Sequence, residues 1–95
     1  MTDIIDINKQ VAEKFGYKIA YEHGHFKPRT DHNDLALVKA KLIEDGYSIH
    51  INYHMSIHEW DCELMEYKHT SIAYGYGTTE NEAVCLAALA AVEPK

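Results

Sequence analysis

The chain has 95 residues, of which 46% are hydrophobic and 25% charged, a composition typical of one globular domain. Its formal net charge of −6 disfavours nucleic acid and anionic membrane as partners. No apolar run approaches the ~20 residues of a membrane span, and the first residues lack a signal-peptide pattern. The two cysteines form no CxxC pair. We therefore expect one cytoplasmic domain over residues 1–95 with reduced thiols.

The first predicted element is a helix that begins at a cap formed by Thr2 or Asp3 and ends near Phe15. Gly16 follows the last turn and predicts a left-handed C-cap. A helix this short is only marginally stable in water, so it must pack against the rest of the domain. Its apolar residues recur at the spacing of one helical face and predict a buried stripe of Ile4, Ile7, Val11 and Phe15.

Residues 17–30 predict a short extended piece, in which Tyr17, Ile19 and Tyr21 alternate with other residues, followed by an irregular surface loop around Gly24 and Pro28. The segment is long for a connection, which usually has ~4–6 residues. Its aromatic rings and cations suit a protein interface or an anionic ligand. Alternatively, it adds an edge strand and a disordered tether. The candidate binding residues are Tyr17, Lys18, Tyr21, Phe26, Lys27 and Arg29.

A second helix is predicted after Thr30 or Asp31, either of which can cap it, with Asp34 favourably placed in the first turn. Gly46 follows its last turn. The predicted buried stripe consists of Leu35, Val38 and Leu42, with Ile43 widening it.

The segment Tyr47–His54 alternates large apolar and polar residues, which predicts a strand with one buried and one wetter face. A hairpin loop, a second strand from Trp60, a turn at Lys68-His69 and a third strand follow. Thr79 opens a capping box before an alanine-rich helix. We expect an α+β fold with a three-stranded antiparallel sheet packed with helices, in the order α-(loop)-α-β-β-β-α. Its predicted core contains Ile49, Ile51, Tyr53, Trp60, Leu64, Ile72, Leu86 and Leu89.

The histidines do not predict a metal site. His50 and His54 share a strand face but lie ~13 Å apart, which is too far to bind one ion. His23, His25 and His32 together can be considered as zinc or nickel ligands, but no cysteine pair or His-Glu-x-x-His helix supports this. We expect surface histidines, no metal and no cofactor.

Catalysis is not predicted either. Cys85 lies within an apolar helix, where thiols are usually inert, and Cys62 alternates with apolar neighbours. Asp61 and Glu63 are the outward residues of a strand, and nothing in the sequence indicates the cleft that a catalytic carboxylate pair requires. The expected protein is not an enzyme.

The order of a helix, a three-strand meander, a glycine-bearing loop and an alanine-rich helix resembles the small phage and prophage proteins described as a phage α-β-α sandwich domain. The resemblance implies a phage or prophage gene product and brings no catalytic motif. The matching segments are Val11–Tyr17, Thr30-Asp31 leading into Leu35–Val38, Tyr47–Ile51, Trp60–Leu64 and Thr79–Leu89.

The same order is similar to a double-stranded RNA-binding domain, and Gly75–Thr79 is similar to the loop of that family. Such domains place lysines at the start of the last helix, where they contact phosphates. Here those positions hold Glu80, Asn81 and Glu82. Nucleic-acid binding is therefore only a weak alternative, limited to low pH and low salt.

The expected function is that of a non-enzymatic accessory protein that acts by binding, as a host-defence inhibitor does when it presents an acidic surface to a basic groove of a host protein. The alternative is a small-molecule binder that sequesters a nucleotide signal. In that case, tyrosines stack on the base while Lys18, Lys27 and Arg29 contact phosphates. Segment 17–30, rather than the histidine face of the sheet, is the predicted functional surface. A homo-oligomer is left open.

Overall fold

The computed structural model describes residues 6–66 and 70–91. The described chain forms an α+β domain with one antiparallel sheet in the strand order β1-β2-β3. The class, the sheet and the order of its strands were predicted from the sequence; an additional short helix was not. The elements are α1 (Ile7–Phe15), α2 (Lys18–Glu22), α3 (His32–Glu44), β1 (Ser48–His54), β2 (Glu59–Glu66), β3 (Thr70–Gly77) and α4 (Glu80–Ala90).

Helix α1 begins at Ile7 because the side chain of Asp6 accepts a hydrogen bond from the backbone N–H of Lys9 at 3.1 Å. The caps predicted at Thr2 and Asp3, like the predicted turn at Lys68-His69, lie outside the described residues. Gly16 ends the helix with φ 86°, as its left-handed C-cap role requires.

Helix α2 replaces the extended piece that was predicted after Gly16. An alternation of only five residues is ambiguous, because Tyr17 and Tyr21 are also neighbours on a helix face. The backbone N–H of Tyr21 donates to the carbonyl of Tyr17 at 2.9 Å. Both tyrosines pack against the core, whereas Ile19 is 72% exposed. The extended prediction was wrong because packing selected the helical alternative.

Helix α4 covers one face of the sheet at very short range. A Cβ atom built on Gly75 would lie 2.2 Å from both the Ala83 carbonyl oxygen and the Ala87 backbone nitrogen. Only glycine at this position of β3 allows the helix backbone to approach so closely. The alanine-rich sequence of α4 serves the same close packing.

A β-bulge between β2 and β3 changes which side chains of β3 face the core. The register of β2 with β3 shifts between Leu64 and Met65. As a result Ile72 packs against the core although its neighbour Ala73 is itself buried. Beyond the bulge, Tyr74 and Tyr76 lie on the opposite face from Ala73.

The core differs in detail from the prediction. Helix α3 is capped by Asp31 as predicted, but Ile43 is 64% exposed and does not widen its buried stripe. Tyr53, assigned to the core, is 44% exposed because it lies at the hairpin end of the edge strand β1. The largest fully buried side chains include Phe26, Leu35, Leu42, Leu64, Val11 and Val38.

Side chains satisfy backbone groups at both ends of α4. The Lys14 ammonium of α1 donates to the carbonyls of Ala88 and Ala91 at 2.7 Å each and so satisfies the last turn of α4. At the other end of that helix, Thr79 accepts from the Glu82 backbone N–H at 3.1 Å. Within the described residues, no helix has the length and hydropathy needed to cross a membrane.

Candidate binding surfaces

Segment 17–30 packs into the domain rather than projecting from it as a surface loop. Phe26 is 1% exposed, and Tyr17 stacks on it with ring centroids 4.6 Å apart. Pro28, around which an irregular surface loop was predicted, is fully buried, and its carbonyl accepts from the buried amide of Asn81 at 2.9 Å. Two of the six candidate binding residues, Tyr17 and Phe26, therefore stabilise the fold directly.

Arg29 is also held within the domain. Its guanidinium contacts Glu82 at 3.0 Å, and its backbone N–H donates to Asn8 at 2.9 Å. Nearby, the backbone N–H of Lys27 donates to Asp34 at 2.7 Å. These contacts connect the segment to α1, α3 and α4. Lys18 and the Lys27 side chain lie on the exposed surface.

A shallow depression of about 360 Å³ lies beside the segment. It brings together three predicted binding residues, Tyr21, Phe26 and Lys27, while Tyr17, Lys18 and Arg29 are not part of its lining. Two carboxylates oppose the single ammonium group there, so the depression has no net attraction for an anion. The lining consists of Asp6, Asn8, Tyr21, Glu22, Gly24, Phe26 and Lys27.

The Tyr21 hydroxyl donates a hydrogen bond to the Asp6 carboxylate at the edge of this depression. This bond lowers the pKa of Asp6, because it stabilises the charged form. The same bond raises the pKa of Tyr21. The hydroxyl that a ligand would contact is thus already engaged by the cap of α1.

The second candidate surface is the side of the sheet opposite α4, which we call the open face. Its side chains alternate with those that pack beneath α4. Antiparallel pairing sets them in two rows across the three strands. One row runs from His50 through Glu63 to Tyr74, and the other runs from Asn52 through Asp61 to Tyr76. We define the open face by His50, Asn52, His54, Asp61, Glu63, Tyr74 and Tyr76.

Two tyrosines form one side of the open face. Tyr74 is 50% exposed and Tyr76 52% exposed, and their rings lie nearly parallel, with centroids 6.4 Å apart and planes at 9°. The Tyr74 hydroxyl donates to Glu63 Oε2 at 2.9 Å. This bond holds the Tyr74 ring in place and puts a carboxylate directly beside it.

A hydrogen-bonded group occupies the other side of the open face. Asp61 accepts from the Asn52 amide at 3.2 Å and pairs with His54 Nε2 through its second oxygen. The hydrogen bond from His54 lowers the pKa of Asp61, so this carboxylate stays ionised at neutral pH. His54 thus supports a carboxylate of the sheet.

Apart from its histidines, the open face carries charge of one sign. Its two carboxylates, Asp61 and Glu63, lie on the central strand, and Glu59 pairs with His54 at the end of the same ladder. None of the three described strands contains a lysine or an arginine. The sheet therefore presents an acidic surface with aromatic rings along one side.

Sequence reasoning treated Asp61 and Glu63 as outward residues of a strand and did not include Tyr74 and Tyr76 among the six candidate binding residues. A usable signal was present, since these tyrosines alternate with small residues. Small residues at period two indicate the face on which a helix packs closely, which leaves the bulky aromatic residues outward.

The described thiols are buried, and the described histidines form no metal centre. Cys62 and Cys85 are buried, and burial raises the pKa of each thiol to about 12. Over residues 6–66 and 70–91, no three His, Cys, Asp or Glu side chains are arranged to hold a metal ion. His23, His25 and His32 are all exposed and do not form such a group.

No family model, curated protein or solved structure matches this chain. The fold and the two surfaces are therefore the basis for any functional assignment. They define an α+β domain with a shallow depression of mixed charge and an open, acidic and aromatic sheet face.

Proposed function

We propose that this protein is a non-enzymatic accessory protein that binds a partner protein through the open face of its sheet. One observation carries the proposal. Tyr74 and Tyr76 lie half exposed beside the carboxylates of Glu63 and Asp61, on a face that α4 leaves uncovered. Half-exposed tyrosine is enriched at protein interfaces, because its ring buries a large area while its hydroxyl keeps a polar partner.

The chemistry of the described side chains favours binding over catalysis. Both thiols are buried and protonated at neutral pH. Asp61 and Glu63 are engaged in hydrogen bonds on an open surface rather than in a cleft that excludes water. A carboxyl group that acts as a general acid or base near neutral pH works best with a raised pKa, whereas the pKa of Asp61 is lowered.

The overall charge indicates the kind of partner. A net charge of −6 and strands without lysine or arginine favour a basic protein surface. The resemblance to phage sandwich-domain proteins supports a host protein as that partner, and inhibition of a host defence protein is the role that we favour. Such a protein would act in the cytoplasm of the host.

A small-molecule binder is the second candidate, and the depression beside segment 17–30 favours it. Tyr21, Phe26 and Lys27 line that depression, as a nucleotide-binding role would require. However, Asp6 and Glu22 line it as well, Phe26 is nearly inaccessible, and Arg29 is paired with Glu82. These features weaken the case for a phosphate ligand.

Nucleic-acid binding has the least support. Glu80 and Glu82 lie at the N-terminus of α4, where they pair with Lys39 at 3.1 Å and with Arg29 at 3.0 Å. These pairs occupy the helix end that would otherwise attract a phosphate. The open face adds further negative charge.

Affinity capture from host extract with matched baits tests the proposal. The open-face bait carries Glu63→Lys and Tyr76→Ala, and the control bait carries Glu44→Lys and Ile43→Ala on the exposed part of α3. A third bait with Lys18→Ala and Lys27→Ala probes segment 17–30. Small molecules released by heating each bait are identified by mass spectrometry.

We expect a protein that is retained by the wild type and by the α3 control but lost by the open-face bait. An anionic molecule that is released from the wild-type bait, but not from the bait with Lys18→Ala and Lys27→Ala, would support the small-molecule binder instead. Retention of every captured protein by the open-face bait would refute the proposal.

A further inference from the structure

We infer that the open face recognises arginine side chains, so that its ligand is an arginine-bearing basic segment of the partner protein. This inference rests on the proposed function and specifies its ligand chemistry. The charge and the aromatic groups of the open face identify this ligand.

The charge of the face selects a cation. Asp61 and Glu63 are neighbours on the same side of the central strand, and no lysine or arginine is present in any described strand. His54 contacts Asp61, and His50 lies opposite Glu63. A partner that brings permanent positive charge therefore adds a favourable interaction that the strands of this chain do not supply.

Three cations in the described part of the chain are held by other partners. Arg29 pairs with Glu82, Lys39 pairs with Glu80, and Lys14 donates to the end of α4. Each of these contacts involves α4, on the opposite side of the sheet. None of these contacts involves Glu63, whose carboxylate has one oxygen bonded to Tyr74 and the other available to an external cation.

The aromatic rings favour arginine over lysine. A guanidinium group is planar, stacks on an aromatic ring and can bond a carboxylate with two N–H groups at once, whereas an ammonium group is a compact and strongly hydrated charge. Tyr74 presents its half-exposed ring beside the Glu63 carboxylate, which its hydroxyl contacts at 2.9 Å. Glu63 keeps its second oxygen for a ligand. A single guanidinium can therefore contact both groups.

Two peptides of equal charge test this inference on the full chain. The probes are a hexa-arginine and a hexa-lysine peptide, titrated by calorimetry at low salt, with amide NMR shifts locating the bound surface. We expect hexa-arginine to bind the open face more tightly, by about 2- to 5-fold for each ring engaged. We expect added salt to weaken both peptides.

Variants separate the ring from its hydroxyl. Tyr74→Phe keeps the ring and removes the bond to Glu63, so the preference for arginine should remain. Tyr74→Leu combined with Tyr76→Leu should remove the preference, while Glu63→Gln should weaken both peptides. Glu44→Gln makes the same charge change on α3 and should have no effect. A thermal melt of each variant verifies that it is folded.

Equal affinity for the two peptides, or shifts centred away from β2 and β3, would overturn the arginine inference and leave the capture experiment to decide the proposed function. A concentration-dependent dimer that protects Tyr76 would overturn it too, because a second copy would then be the occupant. Loss of the partner protein by the open-face bait without any preference for arginine would show that only the ligand chemistry was assigned wrongly.

Discussion

The backbone of Gly75 lies directly against that of Ala87, so that a Cβ atom at residue 75 would be 2.2 Å from the Ala87 nitrogen. This contact sets the distance between β3 and α4. It also determines which face of the sheet is covered, and therefore leaves Tyr74 and Tyr76 on the open side.

Gly75→Ala should consequently destabilise the domain by roughly 1–3 kcal/mol or more, because a methyl group cannot be accommodated against helix backbone. Gly77→Ala is the matched control. Its Cβ would meet the Glu82 side chain at 2.8 Å, which can move at a smaller cost. Urea unfolding followed by circular dichroism measures both variants. Equal stability of Gly75→Ala and the wild type would contradict the described packing of α4.

The sheet was predictable because apolar and polar residues alternate with period two along its strands. β1 alternates exposed and half-buried residues as far as Asn52. The second strand of the hairpin, β2, begins at Glu59, one residue before the start predicted at Trp60. What was not predicted is the phase of β3, in which Ile72 packs against the core while Tyr74 and Tyr76 lie on the open face. That depends on the contact at Gly75 and on the bulge beside Leu64, and both arise from tertiary packing.

Segment 17–30 shows the opposite case, in which residue types alone pointed to a surface role. Aromatic rings and cations are equally common in interfaces and at the edges of cores. Burial decides between the two, and it places Phe26 and Pro28 inside. The sequence offered no clear signal for this, because the groups that cover them come from distant parts of the chain, including Asn81.

Truncating Phe26 should therefore reduce stability rather than only affect binding. We expect Phe26→Ala to cost roughly 3–5 kcal/mol, since it creates a cavity and removes the ring on which Tyr17 stacks. Ile19→Ala, at a side chain that is 72% exposed, should change stability by no more than about 0.5 kcal/mol. Thermal unfolding distinguishes them. A Phe26→Ala variant as stable as the Ile19→Ala control would place residue 26 on the surface.

The two thiols should be protected in the folded state. Burial raises the pKa of Cys62 and of Cys85 to about 12, and the thiolate is the reactive species. At pH 8 we expect no labelling by iodoacetamide in native buffer and labelling of both cysteines after unfolding in guanidinium, measured by intact mass. Rapid labelling of either thiol in the native state would show that α4 or β2 opens readily.

Asp61 should make the stability of the domain depend on pH in the acid range. Its folded-state pKa is lowered, first by the hydrogen bond from His54 and further by that from Asn52. The stabilising contribution is fully present above the unfolded value of ~3.9 and is lost as the pH falls through the lower folded-state pKa. Asp61→Asn removes the ionisable group and should show a shallower decline of melting temperature below about pH 4.

Glu44→Gln, an exposed change of the same charge on α3, is the control for this measurement and should follow the wild-type curve. Melting temperatures taken from pH 6 down to the acid limit of folding compare the three proteins. If Asp61→Asn and the wild type decline in parallel, the contact between His54 and Asp61 does not stabilise the folded state. Asp61 would then lack the support within the open face that holds its carboxylate in place.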